Sequence, residues 1–206
     1  MREQLNPQTR MMDAGYRVFG THRYRKASIS EIAMLASVSK ASVFHYFKTK
    51  KGLYLALLEN AGLVLLDAIQ QGFDDSVHGF FDRIRQSTAI KMRVLSVYPG
   101  MLDFLSKAYF EEDPEVRDEV ASFMNQDAFN ALRAHVMNDD IDTDAFKKGI
   151  DPAFVGKLLM WISYGMAATQ NSESFDVDAT LMAFNQTLEL FEKYFCRGKD
   201  EHNGSH

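Results

Sequence analysis

Apolar residues recur along this 206-residue chain at intervals of three and four, with no sustained alternation, so the periodicity predicts helices and no strand. Turn and capping signals divide the chain into about nine segments. The first covers about residues 4–22, with Leu5, Met11 or Met12, Tyr16 and Phe19 on one face and Pro7 tolerable only in its first turn. Ser28 followed by Glu31 spells a capping box that opens a second, short helix. Ser39 caps a third, and Thr49 caps a long fourth helix through Leu53, Leu57, Leu58, Leu65 and Ile69 to about Gly72.

A fifth helix is predicted over about 77–97, stopped by Pro99-Gly100, and a sixth over about 101–109. Asp113-Pro114 places a capping carboxylate before a proline, which predicts a seventh helix running to about Met137. Asn138 to Asp144 is the clearest loop. Asp151-Pro152 repeats the start signal for an apolar eighth helix, and Asp176 or Asp178 opens a ninth that ends near Cys196. No internal repeat and no low-complexity tract interrupts this order.

With 46% apolar residues the chain can bury one substantial core, or carry a small head on a larger body, without metal or disulfide. Cys196 is the sole cysteine, which fits a reduced, cytoplasmic setting. The opening MREQLNPQTR lacks the apolar core of a signal peptide. Leu53 to Leu66, broken by Glu59 and Asn60, reads as too short for a membrane span, so a soluble protein with no membrane partner is expected.

The net charge of −5 conceals an asymmetry. Residues 1–51 hold ten Lys and Arg against Glu3, Asp13 and Glu31, a balance of +7, whereas the remainder holds thirteen against twenty-five, a balance of −12. A basic head on an acidic body suggests that the head meets a polyanion and the body does not.

Ser28 to Leu53 carries the chemistry that fits such a head. Ala33 and Ala36 permit two short helices to cross closely, Ile32, Val38 and Val43 fill the core beneath, and Ser37-Val38-Ser39 is short enough to fix their angle. This is the spacing of a helix-turn-helix, whose second helix must enter a groove only about 12 Å wide. That helix would expose Lys40, Ala41, Ser42, His45 and Tyr46, with no acidic residue among them. Lys48, Lys50 and Lys51 crowd the positive end of the fourth helix, a conflict that a phosphate backbone would remove. A charge cluster alone is more often a solvated patch; joined to this helix spacing it points to double-stranded DNA.

At these residues the chain resembles the TetR/AcrR-type family of transcriptional regulators. The resemblance covers roughly Met11 to Leu57 and rests on Phe19, Tyr24, Glu31-Ile32-Ala33, Val38-Ser39-Lys40, His45-Tyr46-Phe47, Lys48, Lys50 and Leu53. It implies an all-α fold: an N-terminal three-helix head (1–48) with the helix-turn-helix and a larger helical body (49–198) for effector binding and dimerisation; the composition of the last residues predicts a disordered tail (199–206). It also implies that Ser28, Ser39, Ser42, Tyr46 and Lys50 contact phosphates while Lys40, Ala41, Ser42 and His45 face base edges. The implied function is a ligand-responsive regulator, a repressor released from a palindromic operator by a small molecule. Arg23, Ser37, Ala41, Phe44 and Gly52 depart from the family's usual glycine, glycine, glycine, tyrosine and glutamate, and Ser37 is expected to hold a positive φ in a turn that glycine would take freely.

The eighth helix is apolar nearly all round and must be covered on every side. Phe154, Leu158, Trp161 and Ile162 with a ninth-helix stripe of Leu181, Phe184, Leu188 and Phe191 would form either a hairpin within one subunit or a two-fold interface with a second copy. The resemblance favours the homodimer. Tyr98, Met101, Phe104, Leu105, Phe123, Met124, Trp161 and Tyr164 are rich in aromatic and Met side chains. Such residues make ordinary core more often than a cavity, but the resemblance implies an effector there, mostly apolar or aromatic, with one polar end held by groups such as Tyr98, Tyr164, Asn125 or Gln126.

Asp140, Asp142, Asp144 and Asp151 mimic a calcium loop, but Ala145 stands at its required glycine and Lys148 at its ninth position, so no metal is expected. His202 and His206 share the tail. No phosphate loop, metalloprotease or nucleophile-elbow motif is present, so neither catalysis nor a cofactor is expected. An apolar-ligand carrier without DNA binding would account equally well for the body.

Overall fold

Asn6 caps the first helix by accepting a hydrogen bond from the Thr9 N–H at 2.9 Å, and Pro7 takes the first helical position, where no donor is lost. From there the computed structural model describes residues 6–98, 100–124, 127–137, 141–169 and 176–197. Among them are ten α-helices and no strand: α1 (Pro7–Thr21), α2 (Ile29–Leu35), α3 (Lys40–Phe47), α4 (Lys50–Gly72), α5 (Phe80–Val97), α6 (Met101–Tyr109), α7 (Arg117–Met124), α8 (Asp127–Val136), α9 (Pro152–Ala168) and α10 (Val177–Phe195). A 3₁₀ turn, Tyr24–Lys26, links α1 to α2.

The all-α architecture with its N-terminal helix-turn-helix is as the periodicity predicts, and Ser39, Thr49 and Asp176 are the caps. Two boundaries differ. Asp113 does not seat Pro114 at a helix start: its Oδ1 accepts from Glu115 N at 3.0 Å and its carbonyl from Arg117 N at 2.9 Å, so residues 114–116 form a turn and the helix begins at Arg117. The single seventh helix is replaced by α7 and α8. At 23 residues α4 has the length and composition to cross a bilayer, contrary to expectation, yet Leu53, Tyr54, Leu57, Leu58, Ala61, Leu65 and Ile69 bury it inside the protein. The tail 199–206 lies outside the described residues.

One apolar cluster joins head and body. Phe19 and Tyr24 from the head meet Tyr54 of α4 and Phe104 of α6, with Tyr54 edge-on to Phe19, Tyr24 and Phe104 at 4.9, 5.2 and 5.1 Å between centroids. The boundary between residues 48 and 49 thus falls within a continuous core. Helices α1 and α6 approach backbone to backbone: a Cβ on Gly20 would fall 2.9 Å from the Gly100 carbonyl oxygen, and Gly100 itself adopts φ 84°. The Tyr16 hydroxyl donates to the Leu57 carbonyl and accepts from Asn60 Nδ2, both at 2.9 Å, pinning α1 to α4.

A second cluster gathers Phe80, Phe81, Ile84, Phe146, Val155, Leu159, Phe184 and Leu188 at the far end of the body. Between the ends lies the fully buried guanidinium of Arg83. It donates to the carbonyls of Val136 (2.8 Å), Val77 (2.6 Å) and His135 (2.7 Å), lies 4.6 Å from the Phe73 ring centroid, and stands 3.7 Å from Asp75. Its planar fork satisfies carbonyls at the end of α8 that would otherwise be left without donors.

Candidate nucleic-acid interface and apolar cavity

Helix α2 ends in a turn where Val38 N bonds to Ala33 O at 3.0 Å and Ser37 N to Met34 O at 3.1 Å, a Schellman pattern that demands a left-handed residue between them. Ser37 supplies it at φ 52°, as expected, without glycine's freedom. Ile32, Ala33, Ala36 and Val43 are buried beneath the crossing. Ser28 caps α2 through Ser30 N at 3.2 Å, one residue earlier than the capping box anticipates.

Ser39 accepts from Ser42 N at 3.0 Å, and its hydroxyl lies 2.8 Å from that of Ser42, so the two serines brace the start of α3. Ser28, Ser39, Lys40, Ala41, His45, Tyr46 and Lys48 are exposed, while Val43 and Phe47 face inward. Phe44 is also exposed, with the Lys40 ammonium 5.9 Å from its ring centroid. The residues expected to read DNA therefore share the outer surface of one short helix.

The joint to α4 is a single tight turn. Lys48 sits at φ 65°, ψ −52°, and Thr49 N bonds back to Phe47 O at 2.7 Å, a strained γ-turn. Thr49 Oγ1 then accepts from Gly52 N at 2.8 Å.

The three lysines are not equivalent. Lys48 donates to the His45 carbonyl at 2.9 Å at the exposed edge of α3. Lys50 folds over the Tyr24 ring at 4.6 Å and donates to the Arg25 carbonyl at 3.3 Å. Burial lowers its pKa, against the raising influence of Glu115, Asp113 and Glu111. Lys51 pairs with Glu119 of α7. Arg23, Arg25 and Lys26 are exposed on the neighbouring 3₁₀ turn. These cations extend the basic surface beyond the residues singled out from the sequence, where the tetrapeptide Arg23-Tyr24-Arg25-Lys26 just before Ser28 was the available signal.

Inside the body a cavity of about 790 Å³ opens between α4, α5, α6, α8, α9 and α10. Of the expected pocket residues it takes Leu105 and Tyr164, the latter stacked on Tyr109 at 3.8 Å. Met101 and Phe104 are instead fully buried in the head-body cluster, whereas Leu102 and Leu105, turned by about 100° from them round α6, sit at the edge of that cluster and reach the cavity. Phe123 packs into the head-body cluster, and Tyr98 and Trp161 are 39% and 46% exposed at the surface. The side chain of Met124, and Asn125 and Gln126, lie outside the described residues, as does Asp140 of the acidic loop. The cavity also carries cations that the aromatic and Met pattern did not suggest: Lys91, Arg133 and Lys157.

The expected dimer face divides in two. Phe184 and Leu188 are 4% and 0% exposed and belong to this chain's own core, Leu181 lines the cavity, and Phe191 packs beside Phe195. The periodicity located the apolar stripe of α10, but that stripe faces inward. Phe154 and Trp161 are exposed, Leu158 and Ile162 are half-buried, and Met182, Leu190 and Tyr194 stand out from the other side of α10.

Residues 11–57 match the family model described as bacterial regulatory proteins, tetR family. A curated relative, the HTH-type transcriptional activator FasR of Mycolicibacterium smegmatis, is 30% identical over 118 residues, 54% of this chain; the chain spans 49% of that relative's length. The fatty acid degradation regulator FadR from Bacillus halodurans superposes with a TM-score of 0.70 at 14% identity, covering 88% of this chain and 97% of that one. The transcriptional regulator FadR from Bacillus subtilis, solved in complex with stearoyl-CoA, gives 0.69 at 15% identity over 89% and 96%.

Proposed function

We propose that this chain, whose residues 11–57 match the model of bacterial regulatory proteins of the tetR family, is a cytoplasmic, ligand-responsive transcriptional regulator that binds a palindromic operator as a homodimer. The observation that carries this is the outer face of α3. Lys40, Ala41, His45 and Tyr46 stand exposed on a helix whose angle is set by the Ser37 turn and the Ser39 cap, flanked by Lys48, Arg25 and Lys26.

One helix of eight residues touches few bases, so two heads about 34 Å apart would read successive major grooves. The face formed by exposed Phe154 and Trp161 and half-buried Leu158 and Ile162, with exposed Met182 and Leu190, is the surface that supports pairing of two copies. The apolar cavity supports a small-molecule effector, and stearoyl-CoA in the Bacillus subtilis neighbour is in keeping with one that is mostly apolar.

Coupling follows from shared helices. Helix α4 carries Thr49 at the DNA end and Leu65 at the cavity, and α6 presents Phe104 to the head and Leu105 to the cavity. An effector that binds better to the form with displaced heads shifts the population away from the operator, and its maximum effect equals that difference in affinity.

Selection from random duplexes is the test. A two-fold symmetric consensus bound with strong salt dependence is the expected result; no enrichment would leave the carrier without DNA binding ahead. Transcription from the selected site with and without the chain then gives the sign of regulation, with repression expected.

A further inference from the structure

Lys91 is a cation set in the wall of an apolar cavity that has no acidic side chain among its described lining residues. It lies on the inward stripe of α5, next to Ser87, Thr88 and Leu95. Among the described residues it has no hydrogen bond, ion pair or ring contact. The hydroxyls of Ser87 and Ser106 donate to the carbonyls of Ile84 and Leu102, and neither bonds Lys91. Lys91 is half-buried as a residue, and burial of its ammonium alone draws its pKa down to about 8, with no charge acting against it. Lys157, a second cation of the lining, extends over the exposed Trp161 ring at 5.0 Å.

A desolvated ammonium without a counterion is costly, and an anion brought beside it recovers that cost as binding energy. An uncharged ligand would leave the ammonium unpaired, and a cationic ligand would be repelled. We propose that the cavity takes an acidic amphiphile, its acid group paired with Lys91 and its hydrocarbon part laid along the apolar walls of α5, α6 and α9. This deepens the effector proposal and rests on it. The cavity volume of about 790 Å³ is in the range for such sites; the other cations of its described lining, Arg133 and Lys157, are exposed to solvent, and no acidic side chain there competes for Lys91.

The test is calorimetric titration of the full chain at pH 7 with hexadecanoate, hexadecanol, hexadecyltrimethylammonium and hexadecanoyl-coenzyme A, each below its aggregation concentration. The acid is expected to bind about tenfold to a hundredfold tighter than the alcohol, the worth of a hydrogen bond to a charged group. Lys91→Met should bring the acid down to the affinity of the alcohol while leaving the alcohol unchanged, and Lys91→Arg should keep the preference. A Lys91-dependent preference shown by the thioester and not by the free acid would place the anionic head on the conjugate. Alcohol or ammonium binding as tight as either anion, or a preference that survives Lys91→Met, overturns the proposal. Alcohol binding without that preference removes the role of Lys91 alone; no binding by any of the four removes the effector site with it.

Discussion

A Cβ placed on Gly52 would fall 2.1 Å from the carbonyl oxygen of Phe47, nearer than any side chain can sit. The same carbonyl accepts the Thr49 N–H of the γ-turn, so the angle between α3 and α4 depends on glycine at residue 52. Gly52→Ala is expected to open this joint and destabilise the fold by about 1–3 kcal/mol, a fall in Tm of about 2–12 °C for a chain of this size. Thermal unfolding and operator affinity should both decline, the latter because the reading helix loses its fixed angle.

Ser37 should respond in the opposite sense. Its φ of 52° costs a non-glycine residue about 1 kcal/mol, so Ser37→Gly is expected to raise Tm by about 2–4 °C, and Ser37→Val to lower it. Scanning calorimetry of the two variants checks the sign.

Arg83 makes three hydrogen bonds to backbone carbonyls with no exposed surface. Arg83→Met keeps the bulk and loses every donor, leaving three acceptors to find water or stay unpaired. A loss of about 3–5 kcal/mol is expected, visible as a lower denaturant midpoint, and Arg83→Lys should recover only part of it because an ammonium cannot reproduce the planar fork.

Dimerisation should depend on α9 and not on the buried stripe of α10. Phe154→Glu with Trp161→Glu is expected to give a folded monomer by sedimentation, whereas Leu188→Glu should unfold the chain, because Leu188 lies wholly in its own core. A dimer surviving the double substitution would locate the interface elsewhere.

Lys91 makes a prediction about pH. Its folded pKa of about 8 lies below the unfolded value of 10.5, so between those limits the unfolded chain binds the proton that the folded chain releases. Stability contributed by this group therefore rises from pH 8 towards 10.5, and below pH 8 its penalty is fully present. Tyr16, Tyr24 and Tyr54, whose pKa values are raised by burial, act the other way above about pH 10. Comparing the Tm of the native chain with that of Lys91→Met between pH 7 and 9.5 isolates the lysine: the variant should be more stable at pH 7, and the gap should narrow as pH rises. Binding of an acidic ligand should weaken over the same interval.

Local physics made the head legible. Ser39 and Thr49 announce helix starts through caps that need only the residues beside them, Ala33 and Ala36 announce a close crossing, and the exposed set on α3 follows from a period of 3.6. The strain at Ser37 was legible only through the family resemblance, which places a glycine in that turn. Charge separation between residues 1–51 and the rest was likewise a property of order along the chain.

Tertiary structure alone decided which apolar face looks where. Met101 and Phe104 are as apolar as Leu102 and Leu105, yet the first pair is wholly enclosed in the head-body core while the second sits at its edge and also lines the cavity, since periodicity marks an apolar face without saying where its packing ends. The α10 stripe of Phe184 and Leu188 was correctly spaced and wrongly paired for the same reason. The anchors Arg83 and Lys91 were hidden because a charged residue at helical spacing reads as solvated surface. Only the packing of helices distant in sequence buries the first against three carbonyls and leaves the second facing an apolar cavity without a partner. The chain by itself determined the helices and the basic head; the docking of those helices on one another determined the cavity, its charge and which apolar side chains of α9 stay exposed.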